Sequence, residues 1–171
     1  MKKVSVFVVL LAVVFLGFNA SAQTKSKYAH VNSNDLMQVM PGMDTARTAI
    51  ETFAKQLEDE MKAMYNEYEK KVADFQRDQP ILSQSVQNVK MKDIQDLQAR
   101  IQTFEEQAQL DLQAKQEELL KPLVDKAKDA IAAVAKENGY SYVFDSGLGV
   151  ILYSEETDNI LDLVKKKLGI K

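Results

Sequence analysis

The sequence has no cysteine, no tryptophan and a single histidine among its 171 residues. Without cysteine the chain can form no disulfide and offers no thiol nucleophile, and His30 alone cannot supply a multi-histidine metal site. The stretch at residues 146–149 (Ser-Gly-Leu-Gly) lacks the lysine of a phosphate-binding loop and predicts a turn instead. We therefore expect no enzyme activity, no catalytic residue, no cofactor and no metal site.

Glycine and proline are also scarce, with six and three residues respectively. Neither occurs in residues 44–79, where apolar side chains recur every three or four positions, as along the seam of a coiled coil. This stripe consists of Ile50, Phe53, Leu57, Met61, Met64, Tyr68, Val72 and Phe75. A second stripe follows residues 78–86, which include Pro80. The pattern predicts an antiparallel coiled-coil helical hairpin over residues 44–122 with its tip near residues 78–86.

Only one long apolar run is present, and it lies at the N-terminus. It follows Lys2 and Lys3, and the small residues Ala20, Ser21 and Ala22 come after it. This is the pattern of a secretory signal peptide over residues 1–22, and we predict cleavage after Ala22. Removal of both lysines leaves 20 basic against 25 acidic residues. That net charge of −5 argues against nucleic acid as a partner.

The remaining segments, residues 23–43 and 123–171, predict a small α/β base. Alternating stretches predict strands at residues 28–32 and 140–145, and a third strand is expected at residues 150–153, where it would form a β-hairpin with the second. Helices are expected at residues 33–40, 125–138 and 158–168. The predicted fold class is α+β, mostly α: a small β-body with the long helical hairpin inserted between strands. Because three short strands make a poor core, the base should need partner chains.

Several stretches of the chain resemble the Skp/OmpH family of periplasmic chaperones, over nearly all of the mature sequence. They are Ala29-His30-Val31-Asn32 with Leu36, the long helix, residues 101–104, residues 116–122, the segment Ala-Ala-Val-Ala-Lys-Glu-Asn-Gly-Tyr at 132–140, Val143-Phe144-Asp145 and the last helix. The resemblance implies a homotrimer in which a central β-body carries three hairpins around a cavity. It also implies an ATP-independent periplasmic holdase that binds unfolded outer-membrane proteins.

Three sets of candidate residues follow. The apolar strand positions Val31, Val143, Phe144, Val150 and Leu152 are the candidate trimer interface. The Met and aromatic residues Met61, Met64, Tyr65, Tyr68 and Phe75 are either the interior of the coiled coil or a surface that contacts clients. Pro122, where the returning arm reaches the base, is either a helix break or a hinge.

The charge of the hairpin departs from that of many members of the resembled family, which are strongly basic. Residues 44–122 carry 11 basic and 16 acidic residues, a net charge of −5. We therefore do not expect a site for lipopolysaccharide or for anionic membrane. The alternative to a holdase is a structural coiled-coil adapter of the cell envelope, which would bind folded partners.

Overall fold

The structure, a computed structural model, describes residues 26–170. The predicted signal peptide and its cleavage site at Ala22 lie outside these residues. The described chain is mostly helical. Its elements are, in order, β1 (Lys27–Val31), α1 (Ser33–Gln38), α2 (Met43–Asp78), a 3₁₀ turn (Gln79–Ile81), α3 (Gln84–Asn138), β2 (Tyr140–Asp145), two further 3₁₀ turns (Ser146–Leu148 and Glu156–Asp158) and α4 (Leu161–Leu168).

The strands β1 and β2 form a two-stranded parallel sheet, although the whole length of α2 and α3 separates them in sequence. Ala29 lies opposite Val143, and His30 lies opposite Phe144. On its other side β1 is covered by the chain before α4, where the N–H of Ile160 donates to the carbonyl of His30 at 3.0 Å. Within residues 26–170, β1 therefore has neighbours on both sides and β2 has a strand on one side only.

The predicted β-hairpin at residues 140–153 is wrong in this structure, because β2 pairs with β1 and residues 150–153 form no strand. The turn that follows β2 explains why no β-hairpin forms. The carboxylate of Asp145 accepts the N–H of Gly147 at 2.8 Å and that of Ser33 at 3.1 Å, which ties the turn to the start of α1. Gly149 then has a φ of 69°, in the left-handed region that favours glycine. The chain thus leaves the sheet and does not return along its free edge.

The helices α2 and α3 pack along one another, and their contacts join residues in opposite order. A Cβ on Gly42, next to the start of α2, would lie 3.5 Å from the side chain of Leu123. Further along, the Tyr65 hydroxyl donates to Glu105 at 2.7 Å. At the other end, Gln87 donates to the carbonyl of Gln79 at 3.0 Å. With 36 residues, α2 is ~54 Å long.

Pro122 does not break the helix, so the predicted helix break at this residue is wrong. The helix α3 runs without interruption through 55 residues, from Gln84 to Asn138, with Pro122 inside it. A proline there removes one backbone hydrogen bond and costs about 3 kcal/mol or more. The helix continues because its final turns are held in the base, where Ala127, Ala130 and Val134 are buried. Whether Pro122 acts as a hinge stays a prediction.

The core of the base is assembled from both ends of the described chain. It consists of Ala29, Val31, Leu36, Met40, Ala127, Ala130, Val134, Ile160 and Val164. The C-terminal third of α3 lies against the sheet, α1 and α4, so that every element of the base contributes to one cluster. No helix among residues 26–170 is long and apolar enough to cross a membrane.

Candidate functional site

Three aromatic side chains on the outer face of the sheet form a patch, hereafter the aromatic patch. Tyr28 stacks on Tyr142 with ring centroids 5.9 Å apart, and Phe144 lies 6.3 Å from both rings. Tyr142 and Phe144 are two residues apart on β2 and therefore share a face. About half of each side chain is exposed. Stacked aromatic rings usually bury a large apolar area, so three exposed rings together indicate a surface that contacts something else.

The segment of residues 150–153 lies beside the aromatic patch. Val150 and Tyr153 are largely exposed, and the side chain of Leu152 is 99% exposed. A shallow groove of about 420 Å³ lies between this segment and the sheet, lined among others by His30 and Phe144. Of the segment, Ile151 is partly buried, while Val150, Leu152 and Tyr153 have no neighbour within residues 26–170 that would remove most of their surface from water.

The five predicted interface residues fall into two groups. Phe144, Val150 and Leu152 are exposed and lie around the aromatic patch. Val143 packs against the core, and Val31 belongs to that core with only 3% of its surface exposed. Val31 therefore has almost no surface left for a partner chain.

Sequence reasoning overlooked three aromatic residues of this surface, namely Tyr28, Tyr142 and Tyr153. The spacing of Tyr142 and Phe144, two residues apart in a predicted strand, was a signal that could have found one of them. Nothing in the sequence indicates that Tyr28 would stack on Tyr142, because that contact depends on the pairing of β1 with β2.

His30 is the one buried side chain among the described residues that leaves a nitrogen without a partner. Its Nδ1 lies 3.4 Å from the hydroxyl of Ser146, while Nε2 is buried and has no hydrogen-bond partner there. No group of three or more His, Cys, Asp or Glu side chains in residues 26–170 could hold a metal ion. Among residues 26–170, His30 thus belongs to no cluster of metal ligands, and the Ser146 hydroxyl is its one side-chain hydrogen-bond partner.

The structure shifts the pKa of Asp145, a carboxyl group at the end of β2. Burial of the carboxyl group raises the pKa, but the hydrogen bonds from Ser33 and from the backbone N–H of Gly147 lower it by more. The net effect is a pKa below the ordinary range of aspartic acid. Asp145 is therefore a structural carboxylate that joins the end of β2 to the start of α1.

The predicted Met and aromatic residues of the arm occupy two kinds of position. Met61, Met64, Tyr68 and Phe75 are half-buried between α2 and α3. Tyr65 lies outside this seam, is exposed, and donates its hydroxyl to Glu105. That hydrogen bond raises the pKa of Tyr65. Of the five, Tyr65 presents the largest accessible surface to a bound molecule.

A groove opens on the arm between α2 and α3, hereafter the arm groove. Apolar side chains from both helices line it: Ala54, Leu57, Met61, Ala108 and Leu112. Glu58 and Glu105 also border the groove, which has a volume of about 520 Å³. Sequence reasoning did not predict it, although the small residues Ala54, next to Phe53 of the first stripe, and Ala108 were a signal that the space between the helices would not be filled there.

The family comparison fits this architecture. The model of the family described as outer membrane protein (OmpH-like) matches residues 27–168. The chain therefore belongs to the OmpH-like family, and the resemblance seen in the sequence is confirmed.

Individual relatives agree with that assignment. The chaperone protein Skp of Pectobacterium atrosepticum is 26% identical over 151 residues, which cover 88% of this chain and 91% of the relative. The chaperone protein Skp of Photorhabdus luminescens is 26% identical over 159 residues, covering 91% and 93% of the two chains. A crystal structure of an OmpH-like protein from Caulobacter crescentus superposes with a TM-score of 0.72 at 12% identity and covers 84% of each chain, which shows a shared fold.

Proposed function

We propose that the protein is an ATP-independent holdase chaperone of the periplasm that binds unfolded outer-membrane proteins in a cavity between the coiled-coil arms of a homotrimer. The observation that carries this proposal is the arm itself. It is ~54 Å long, it projects apolar side chains that are only half-buried, and it contains an open apolar groove. Such a surface provides many weak contacts, which is what a holdase needs. The relatives named as chaperones support the same function.

In the proposed arrangement, residues 44–122 form the arm and residues 23–43 and 123–171 form the base. An antiparallel coiled-coil arm is supported by the position of Leu123 beside Gly42 and by the hydrogen bond from Tyr65 to Glu105. The periplasmic location rests on the predicted signal peptide, and N-terminal sequencing of the exported protein should find Gln23 as its first residue.

Assembly through the base is supported by the apolar surface that a single chain leaves exposed. We propose that the aromatic patch and residues 150–153 form the contact with neighbouring subunits, with Val31 left out because it belongs to the core. Residues 150–153 are β-branched, apolar or aromatic, as in a strand, and β2 has a free edge within residues 26–170. Addition of this segment to the β2 edge of a neighbour would satisfy the backbone groups of both.

The holdase proposal is tested with an unfolded β-barrel protein. The purified chain from residue 23 should keep a urea-denatured barrel protein soluble on dilution, at about one trimer per client and without nucleotide. Mass measurement in solution should show one client added to three chains. A coiled-coil adapter would bind folded partners and would leave the unfolded barrel to aggregate, so this assay separates the two functions.

A variant without the arm tests where the activity lies. Joining Thr45 to Leu119 through a short Gly-Ser linker removes most of α2 and the paired part of α3 but keeps the residues of the base core. This variant should still trimerise and should no longer prevent aggregation. Full holdase activity in the armless trimer would contradict the cavity model.

A further inference from the structure

The packing between α2 and α3 is uneven along the arm. Toward the tip, Leu97 and Ile101 are 2% and 4% exposed, so the seam there is closed. From residue 102 to residue 126 of α3, no described residue is fully buried, and the arm groove opens within this stretch. The cause is volume. Ala54 on α2 and Ala108 on α3 both line the groove, where larger side chains would fill the space between the helices.

The net charge of the arm also differs between its tip half and its base-side half. Toward the tip, residues 66–100 carry six acidic and six basic side chains. The base-side half, residues 44–65 and 101–122, carries ten acidic and five basic side chains and therefore the whole net charge of −5. The arm groove lies in this acidic half.

The border of the groove is acidic as well as apolar. Glu58 and Glu105 line it, one on each helix, and no lysine or arginine does. One oxygen of Glu105 accepts the hydroxyl of Tyr65, and its other oxygen has no partner among the described residues. Lys55, one turn before Glu58, is bonded to Asp59 at 2.9 Å. Lys55 is thus paired with another carboxylate, while Lys62, one turn after Glu58, is outside the groove lining and makes no ion pair among the described residues.

We infer that the arm groove is a subsite for a particular kind of client segment, an extended stretch in which an apolar side chain stands next to lysine or arginine. The inference rests on the proposed function and specifies its substrate. The apolar side chain enters between Leu57, Ala108 and Leu112, where its surface is removed from water. The neighbouring cation lies against Glu58 or Glu105, where opposite charge favours it and like charge is repelled.

Three labelled peptides of equal length test the inference on the assembled chain from residue 23. Each has the central sequence Leu-Phe-Leu, and the flanking residues are arginine, glutamine or glutamate. Fluorescence anisotropy at low salt should give an affinity about threefold to tenfold higher for the arginine peptide than for the glutamine peptide, as expected for one or two exposed ion pairs. The glutamate peptide should bind most weakly.

Two double variants locate the effect. Glu58→Gln with Glu105→Gln removes both carboxylates of the groove but keeps their size and an acceptor for Tyr65. It should bring the affinities of the three peptides within about twofold of one another. The control is Glu60→Gln with Glu106→Gln, which changes the net charge equally on the same helices outside the groove lining. This control should keep the preference for arginine.

A third variant tests the apolar part of the groove. Ala108→Leu fills the space between the helices with a residue that suits a helix. It should weaken binding of all three peptides, while circular dichroism and solution mass stay those of the unchanged protein.

The outcomes separate this inference from the proposed function. If the wild type binds the three peptides equally, or if the Glu58/Glu105 variant keeps the preference, the subsite is refuted. If no peptide binds while the protein still keeps an unfolded barrel protein soluble, the subsite is again refuted and the holdase proposal stands. If both activities are absent, the proposed function fails and the subsite fails with it.

Discussion

Replacing Leu97 by alanine should open the arm and leave the base intact. Leu97 is 2% exposed, and with Ile101 it forms the only layer of the arm beyond Ala46 that is fully buried among the described residues. A Leu→Ala substitution removes the equivalent of three methylene groups, about 2.4 kcal/mol at ~0.8 kcal/mol each. The cavity that remains adds to this loss, and the observed range for buried leucines is about 2–5 kcal/mol. Because a two-helix arm can relax toward solvent, we expect Leu97→Ala to lower the free energy of opening the arm by about 2–3 kcal/mol.

Hydrogen exchange measures this effect locally. The free energy of opening for amides near Leu97 should fall by about 2–3 kcal/mol, while amides of the base around Val134 should keep their protection. The matched control is Leu110→Ala, on the same helix, where the leucine is 60% exposed and the change should be about 0.5 kcal/mol or less. Equal losses in the two variants, or a loss of protection that extends through the base, would refute this account of the arm.

Two further predictions concern the base. Leu152→Asp should dissociate the proposed trimer in sedimentation without changing the fold of the single chain, because Leu152 is 99% exposed there. Leu110→Asp is the control, and a trimer that survives Leu152→Asp would exclude residues 150–153 from the interface. Because the pKa of Asp145 is lowered in the folded chain, its contribution to stability is complete above the ordinary pKa of about 3.9 and is lost as pH falls through the lower folded value. Asp145→Asn should therefore lower stability at neutral pH and reduce its decline in acid, and an unchanged pH profile in urea unfolding would contradict this role.

The helices of the arm could be predicted closely because their signals are local. Glycine and proline are absent from residues 44–79, and the observed helix α2 spans Met43–Asp78. Its periodicity also predicted which side chains would turn toward α3. The continuation of α3 past Pro122 could not be predicted from such local signals. Pro122 is a local signal for a break, but burial of Ala127 and Val134 in the base outweighs it.

The sheet was harder to predict because its pairing is not local. Alternation in residues 140–145 correctly indicates a strand, but it does not say with which strand it pairs. The nearest predicted strand, residues 150–153, was the natural choice, and the structure pairs β2 with the distant β1 instead. The aromatic patch depends on that pairing, so Tyr28 could not have been found from spacing. The arm groove is likewise a property of two helices together, since it needs Ala54 and Ala108 at the same level.

The open packing at the arm groove predicts how a bound client changes hydrogen exchange along the arm. Between residues 102 and 126 of α3 the side chains are at most half-buried, so this half of the arm has fewer contacts to hold it closed than the layer at Leu97. A ligand that binds only the folded arm stabilises it according to its concentration relative to Kd. In the proposed complex, an unfolded barrel protein should therefore slow hydrogen exchange near Ala108 and Leu112 more than near Leu97, where the packing is already complete. A folded barrel protein is the control and should have no effect. Uniform slowing along the whole arm, or slowing confined to the tip, would show that the client does not bind at the groove.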